Sequence, residues 1–103
     1  MGDPPKLTPE QRAAALAKAA EARRVRAEMR EALRSGEMTL ADALDRSGDD
    51  LLGGTKVKAV LTALPGLGKV KSHRLMEQLG IAENRRLRGL GRKQREALLA
   101  ELS

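Results

Sequence analysis

Residues 64–71, which read Leu-Pro-Gly-Leu-Gly-Lys-Val-Lys, decide the fold that this sequence predicts. Pro65 ends one helix, and the glycines at positions 66 and 68 allow a tight hairpin before a second helix begins at Lys69 and runs to Leu79. Two glycines also let the backbone come close to a ligand, and the start of the second helix offers free N–H groups to a phosphate. The stretch therefore predicts a helix-hairpin-helix element, which either binds phosphate or only connects two helices.

A second glycine-bounded stretch, residues 80–91, reads Gly-Ile-Ala-Glu-Asn-Arg-Arg-Leu-Arg-Gly-Leu-Gly. Gly80 suits the position after a helix C-terminus, two turns follow, and Gly91 opens a last helix. Six cations lie in the turns and at the start of that helix: Arg85, Arg86, Arg88, Arg92, Lys93 and Arg95. Cations at a helix N-terminus oppose the helix dipole and cost stability unless an anion binds. The stretch predicts a second phosphate-binding element, with a solvated basic loop as the alternative.

The N-terminal part predicts one long helix. Thr8 can cap it and Gln11 completes a capping box, and nothing interrupts the helix before Ser35, which predicts about 26 residues and about 39 Å. Large apolar residues on its apolar face lie only in the C-terminal half, so that half is expected to pack on the core while the other half projects as an arm. A separate face carries only arginines: Arg12, Arg23, Arg26, Arg30 and Arg34. Like charges at this spacing repel unless an anion lies against them.

The middle of the chain is acidic. Residues 35–55 carry a net charge of −4 and residues 56–103 carry +7, so the acidic stretch is expected to face away from a polyanion. Within it, Thr39 opens a short helix that runs to about Arg46. Gly53 and Gly54 predict a flexible break, and Thr55 is the predicted cap of a third helix with an apolar stripe at positions 57, 60, 61 and 64.

The composition excludes several classes of protein. The chain has 103 residues, enough for one small domain, and a net charge of +6, which favours a polyanionic partner such as nucleic acid. The absence of Phe, Tyr and Trp excludes aromatic base-stacking platforms. The absence of Cys and the single His leave no metal or cofactor to expect. Since no convincing apolar alternation with period 2 occurs, the predicted fold class is all-α, a long N-terminal helix packed on a small helical domain.

The predicted organisation is a flexible tail at residues 1–7, a long helix at residues 8–35, and a domain at residues 36–103 that forms one unit with the helix. The start of the chain lacks a basic and apolar leader, and no apolar run of membrane-spanning length occurs, so we expect a cytoplasmic protein with no membrane partner. The lack of a long leucine heptad favours a monomer in solution.

Taken in order, these motifs resemble the actinobacterial integration host factor family. The matching stretches are Leu-Thr-Pro-Glu-Gln-Arg-Ala-Ala-Ala at residues 7–15 with Ala-Arg-Arg at 22–24, Leu-Pro-Gly-x-Gly-Lys-Val at 64–70, and Arg-Arg-x-Arg-Gly-Leu-Gly at 85–91. The resemblance covers residues 7–102 and implies a helix-two-turn-helix DNA-binding domain behind a long N-terminal helix. It implies a nucleoid-associated protein, not an enzyme, that binds double-stranded DNA with little sequence specificity and works with phage integrase complexes.

The candidate DNA contacts are the residues that match these motifs and the cations beside them. They are Gly66, Gly68, Lys69, Val70, Lys71, Arg74, Arg85, Arg86, Arg88, Gly91, Arg92 and Lys93. A second contact, on DNA elsewhere, is expected from Arg12, Arg23, Arg26 and Arg30 on the arginine face. Such side chains and backbone N–H groups bind mainly phosphates, which position a protein without reading sequence.

Other functions explain less of the sequence. An rRNA-binding protein is the first alternative, because residues 66–68, 79–81 and 85–98 also resemble ribosomal protein uS13, whose long basic extension has no counterpart after Ser103. A DNA glycosylase is disfavoured, since residues 1–3 precede the first proline, Cys is absent, and so short a chain leaves no room for a base-flipping pocket. A membrane-surface helix at residues 9–34 is disfavoured because its apolar face is mostly alanine.

Overall fold

A computed structural model describes residues 6–102 and divides them into five α-helices and one 3₁₀ turn. The helices are α1 (Pro9–Ser35), α2 (Leu40–Leu44), α3 (Val57–Ala63), α4 (Gly68–Gln78) and α5 (Arg92–Leu102), and the 3₁₀ turn is Leu87–Gly89. Across the described residues, β-type pairing is confined to one antiparallel bridge between Lys56 and Arg86. The predicted all-α class is confirmed. Of the predicted tail, residues 1–5 lie outside the described part of the chain, as does Ser103.

Helix α1 is capped as the sequence predicts. The Gln11 N–H donates to the Thr8 hydroxyl at 3.1 Å, and the Thr8 N–H donates to the Gln11 side chain at 3.0 Å. Met29 and Leu33 are buried near its C-terminal end, whereas every residue from 6 to 20 is exposed. The N-terminal half of α1 therefore projects from the core as an arm, and the molecule with this arm is 49 Å long. Within residues 6–102, no helix combines the length and apolarity needed to cross a bilayer.

Helix α3 lies at the centre of the core. It packs against α1 and α4, and α2 packs against both α3 and α5. The largest fully buried apolar side chains come from every helix and from the 3₁₀ turn: Leu33, Leu44, Val57, Val60, Leu61, Met76, Leu87 and Leu98. Burial of each such side chain stabilises the fold by about 1.5–3 kcal/mol. Because these side chains meet around α3, they hold α1, α4 and the 3₁₀ turn in one body.

The start of α3 differs from the prediction. The sequence predicts Thr55 as its cap, but the N-cap is Lys56 and no side chain caps the helix. The Thr55 carbonyl oxygen instead accepts a hydrogen bond from the Leu87 N–H at 2.9 Å. This extended pairing directs the Thr55 side chain into the core, where its hydroxyl is buried and has no hydrogen-bond partner within residues 6–102. Helix α2 is also shorter than predicted, ending at Leu44 rather than near Arg46.

Replacement of the unpartnered hydroxyl should stabilise the protein. Thr55→Val keeps the shape of the side chain and removes a buried polar group, which should raise the free energy of unfolding by about 1 kcal/mol, or Tm by roughly 4 °C. Thr55→Ser is the matched control, since it keeps the hydroxyl and loses the methyl group, and it should lower Tm. Thermal unfolding followed by circular dichroism measures both. A Thr55→Val variant less stable than Thr55→Ser would contradict the burial described above.

Candidate nucleic-acid interface

The hairpin between α3 and α4 has the backbone that its glycines predict. Gly66 and Gly68 have φ angles of 79° and 74°, in the left-handed region that strains other residues. No side chain caps the start of α4, so its first N–H groups lack that partner. Lys69 and Val70 are exposed just beyond them, and Val70 is 66% exposed. An anion approaching the helix start would meet free N–H groups beside the Lys69 charge.

A groove with five cations in its walls runs between α1, α3 and the start of α4. Its volume is about 380 Å³ and we call it the basic groove. Ala59, Thr62 and Ala63 lie along it, and its cations are Arg30, Arg34, Lys56, Lys58 and Lys69. No acidic side chain lines it. The groove joins Lys69 from the predicted hairpin site to Arg30 from the predicted second site.

Three arginines from two distant segments of the chain converge on the loop at residues 50–54, and we call them the arginine cluster. Arg26 Nε donates to the Leu51 carbonyl oxygen at 3.1 Å, and Arg88 Nη2 donates to that of Asp50 at 3.1 Å. Arg86 Nη1 donates to the carbonyl oxygen of Gly54. A guanidinium group has five N–H donors, so each of these side chains keeps donors for an anion after its carbonyl contact is made.

Gly53 and Gly54 do not form the flexible break that the sequence predicts. Both are buried. A Cβ atom at Gly54 would lie 2.5 Å from Arg26 Nη2 and 4.0 Å from Arg88 Nη2, and one at Gly53 would overlap the Ser47 carbonyl oxygen. Glycine is needed at position 53 because the backbone carbonyl oxygens of Ser47 and Asp49 lie against it, and a side chain at position 54 would displace the Arg26 guanidinium group. Arg26 and Arg88, which the sequence assigns to different sites, therefore reach the same point.

The bridge between Lys56 and Arg86 connects the arginine cluster to the basic groove. It is formed by the Val57 N–H donating to the Arg85 carbonyl oxygen and the Leu87 N–H donating to that of Thr55, both at 2.9 Å. Lys56 lines the basic groove, and the bridge holds it opposite Arg86 of the cluster. The two sets of cations thus form one surface, which spans the C-terminal half of α1, the starts of α3 and α4, and residues 80–91, which we call the two-turn segment.

The Asp49 carboxylate organises the loop under the arginine cluster. It accepts hydrogen bonds from the N–H groups of Leu51 at 2.8 Å and Leu52 at 3.0 Å. The pKa of Asp49 is lowered by the Leu52 and Leu51 hydrogen bonds, with a smaller contribution from the Arg46 charge. The acidic stretch is therefore joined to the basic surface through its backbone, because loop carbonyl oxygens hold the arginines.

The second predicted phosphate element differs from its prediction in one respect. The sequence predicts cations that oppose the dipole of α5 and cost stability unless an anion binds, but several of them have partners within the protein. Arg85 Nη1 donates to the Gly89 carbonyl oxygen at 2.8 Å, and Arg92 Nε lies 3.2 Å from Glu96 Oε1. Arg95 contacts Asp45, and the Gly91 N–H donates to the Gln94 side chain at 3.1 Å. An anion at the start of α5 would therefore relieve less unfavourable charge than an anion in the basic groove, where Arg30, Lys56 and Lys69 have no acidic partner within residues 6–102.

The remaining candidates lie outside these two sets of cations. Lys71 lines a different, largely apolar groove with Leu40 and Leu102. Arg74 and Lys93 are exposed, and Arg12 and Arg23 lie on the exposed side of α1. Three cations of the basic groove are not among the contacts predicted from the sequence: Arg34, Lys56 and Lys58. Arg34 was recognisable from the arginine stripe, and the two lysines from their places on either side of the buried Val57.

Comparison with known proteins supports one family. A family model described as an S13-like H2TH domain matches residues 33–102. The chain is 56% identical over 96 residues to the integration host factors of Mycobacterium tuberculosis and Mycolicibacterium smegmatis, covering 92% of this chain and 91% of each relative. It is 50% identical over 98 residues to the integration host factor of Streptomyces coelicolor, covering 94% of this chain and 92% of that protein. The solved structure of sIHF bound to an 8 bp palindromic DNA is similar, with a TM-score of 0.80 and 42% identity, covering 84% of this chain and 98% of that one.

Asp49 should make stability depend on pH in acid. Because its pKa is lowered in the folded protein, its contribution is present above the unfolded value near pH 3.9 and is lost as the pH falls through the folded pKa. Asp49→Asn should therefore lower Tm at pH 7, and the difference from wild type should shrink below about pH 4. An asparagine oxygen can still accept the Leu51 and Leu52 hydrogen bonds, so Asp49→Asn removes the charge that strengthens them. The control is Asp50→Asn, which removes an equal charge from a side chain that takes no part in those bonds. Thermal unfolding from pH 2.5 to pH 7 measures both, and a pH-independent effect of Asp49→Asn would contradict the explanation.

Proposed function

Because the chain belongs to the integration host factor family, we propose that it is a nucleoid-associated protein that binds double-stranded DNA. It binds mainly through the phosphate backbone with low sequence specificity, and it shapes or bends DNA rather than catalysing a reaction. The observation that carries the proposal is the continuous surface formed by the basic groove and the arginine cluster. The solved complex of sIHF with DNA supports the choice of partner.

The chemistry of the surface favours phosphate contacts over base recognition. Its charged groups are lysine and arginine side chains, and the chain has no aromatic residue to stack on a base. Arg30, Lys56 and Lys69 have no acidic partner within residues 6–102, so no internal ion pair must break before they meet a phosphate. Binding therefore draws its free energy chiefly from counterion release, which is independent of sequence.

The arm extends the proposed surface. Arg26 and Arg30 lie on α1 within the surface, and Arg23 and Arg12 continue along the same helix toward its exposed end. Arginines on a rigid helix beyond the main surface would follow the backbone of one bent duplex or contact a second duplex. Insertion of one of them into a narrow minor groove would produce a preference for A·T-rich DNA. We further propose that the protein is a monomer in solution, is associated with the nucleoid in the cytoplasm and supports phage integrase complexes.

A structured RNA is the second candidate partner. The match to an S13-like H2TH domain favours it. Residues 66–68, 79–81 and 85–98 also resemble ribosomal protein uS13, which is an rRNA-binding protein. Phosphate contacts alone do not distinguish an RNA duplex from a DNA duplex, but the phosphates of A-form RNA are spaced differently from those of B-DNA. Competition of a structured RNA against a labelled DNA duplex decides between them, and preferential binding of the RNA would replace the proposed partner.

The affinity for DNA should depend strongly on salt. If about six phosphates are neutralised, the dissociation constant should rise by roughly 10³-fold between 50 and 200 mM salt. Fluorescence anisotropy with a labelled 20 bp duplex, repeated with an unrelated sequence, measures the slope for both. Similar slopes and affinities on the two duplexes are expected. A flat dependence on salt, or binding to only one of the duplexes, would contradict a phosphate-based interface.

Substitution in the basic groove should weaken every duplex equally. Arg30→Gln with Lys69→Gln removes two proposed phosphate contacts and should reduce the slope of log affinity against log salt by about two. Lys18→Gln with Arg46→Gln is the control, since it lowers the net charge from +6 to +4 in the same way but lies outside both sets of cations. Equal losses in the two double variants would mean that only net charge matters.

Changing Arg85, Arg86 and Arg88 together should also weaken binding to all duplexes to a similar degree.

A further inference from the structure

One acidic side chain stands at the edge of the basic groove. Lys56 and Lys58 line the basic groove and also line a neighbouring groove together with Glu83 and Asn84. Glu83 Oε1 lies 3.2 Å from Lys58 Nζ, and the Lys58 side chain is 32% exposed. In the basic groove, Lys58 therefore forms an ion pair with Glu83, which belongs to the two-turn segment. Phosphate and Glu83 would compete for the same ammonium group.

The same carboxylate contacts the single histidine of the chain. Glu83 Oε1 lies 3.0 Å from His73 Nδ1, and His73 Nε2 lies 2.8 Å from Glu77 Oε1. Neutral imidazole has one N–H donor and the imidazolium ion has two. Both carboxylates can therefore receive a hydrogen bond from His73 only when it is protonated. Glu83 is thus shared between a lysine and a histidine, and histidine is the side-chain type whose ordinary change of charge falls between pH 5 and pH 8.

The charges around this cluster come from each neighbouring element. Helix α4 contributes Lys69 and Glu77, one turn on either side of His73, and α3 contributes Lys58. Glu83 lies in the turn after α4, and Lys56 lines the groove beside it. The hydrogen bond from Lys58, then its charge and that of His73, hold the pKa of Glu83 below its usual value. Glu83 is therefore an anion throughout the neutral range.

We propose that Glu83 limits the affinity of the basic groove for DNA by holding Lys58, and that protonation of His73 relieves this limit. The proposal rests on the function proposed above and adds a regulation to it. When His73 is neutral, Lys58 is the cationic partner of Glu83 within residues 6–102, and Glu83 keeps its ammonium group from a phosphate. When His73 is protonated it donates to Glu83, so Lys58 is released more readily. The added positive charge beside the groove favours DNA in the same direction.

Glu83→Gln tests the first part of the proposal. It should tighten DNA binding at pH 7.5 by up to about fivefold, the worth of an exposed ion pair. The control is Glu101→Gln, which raises the net charge to +7 equally but lies at the end of α5 and lines neither groove; its effect should be under about twofold. Fluorescence anisotropy with the same 20 bp duplex at fixed salt measures both, with circular dichroism to verify unchanged helix content.

A double-mutant cycle separates release of Lys58 from general repulsion. If Glu83 acts by holding Lys58, the gain from Glu83→Gln should disappear in a Lys58→Gln background. A gain of equal size in that background would show that Glu83 only repels phosphate, and would overturn the proposed mechanism. An effect of Glu83→Gln no larger than that of Glu101→Gln would overturn it as well.

The pH dependence tests the role of His73. Wild-type affinity should rise several-fold between pH 8 and pH 5.5, the range in which histidine changes charge, and His73→Gln should remove most of that rise. A rise of equal size in His73→Gln would overturn the role of the histidine. The proposed function itself has a separate test. If the wild-type protein bound no duplex at 50 mM salt, DNA binding would be refuted, whereas the outcomes above would refute only the regulation by Glu83 and His73.

Discussion

Carbonyl oxygens of a single loop hold the arginines around which the basic surface is arranged. The loop at residues 50–54 presents three of these oxygens to side chains from α1 and from the two-turn segment. A hydrogen bond to a charged donor is stronger than one between neutral groups, so these contacts fix long and flexible side chains in place. They require a loop without side chains at its closest points, which Gly53 and Gly54 provide, and an ordered backbone, which Asp49 provides.

Fixing the arginines reduces the cost of binding a polyanion. A free arginine loses much of its rotamer freedom when it binds a phosphate, whereas one already held by a carbonyl oxygen loses less. The basic groove works differently, because Arg30, Lys56 and Lys69 have no acidic partner in the described part of the chain and repel one another. The arginine cluster is therefore ordered before binding. In the basic groove, the repulsion between cations falls when an anion neutralises them. Together they suit a ligand with many phosphates in a row.

Features that depend on neighbouring residues were predictable from the sequence, whereas features that depend on distant residues were not. The capping box of α1 was predicted because its two side chains lie three residues apart, and the glycines at positions 66 and 68 because their φ angles are a property of single residues. Thr55 was mispredicted because its environment is set by residue 87, far away in the chain. The predicted flexible break at Gly53 and Gly54 was wrong for the same reason, since arginines from two distant segments cover it.

The sequence alone determined the all-α class, the long capped helix, the glycine hairpin and the excess of positive charge, because each follows from short-range periodicity, from backbone preference or from composition. Tertiary structure alone decided which cations share a surface. Arg26 and Arg88 approach the same glycine, and Arg30 and Lys69 line the same groove. Both arrangements arise because α3 packs against both α1 and α4 and because the two-turn segment pairs with residues 55–57. The sequence divided these cations between two sites, since the position of a side chain along one helix does not state which other helix lies beside it.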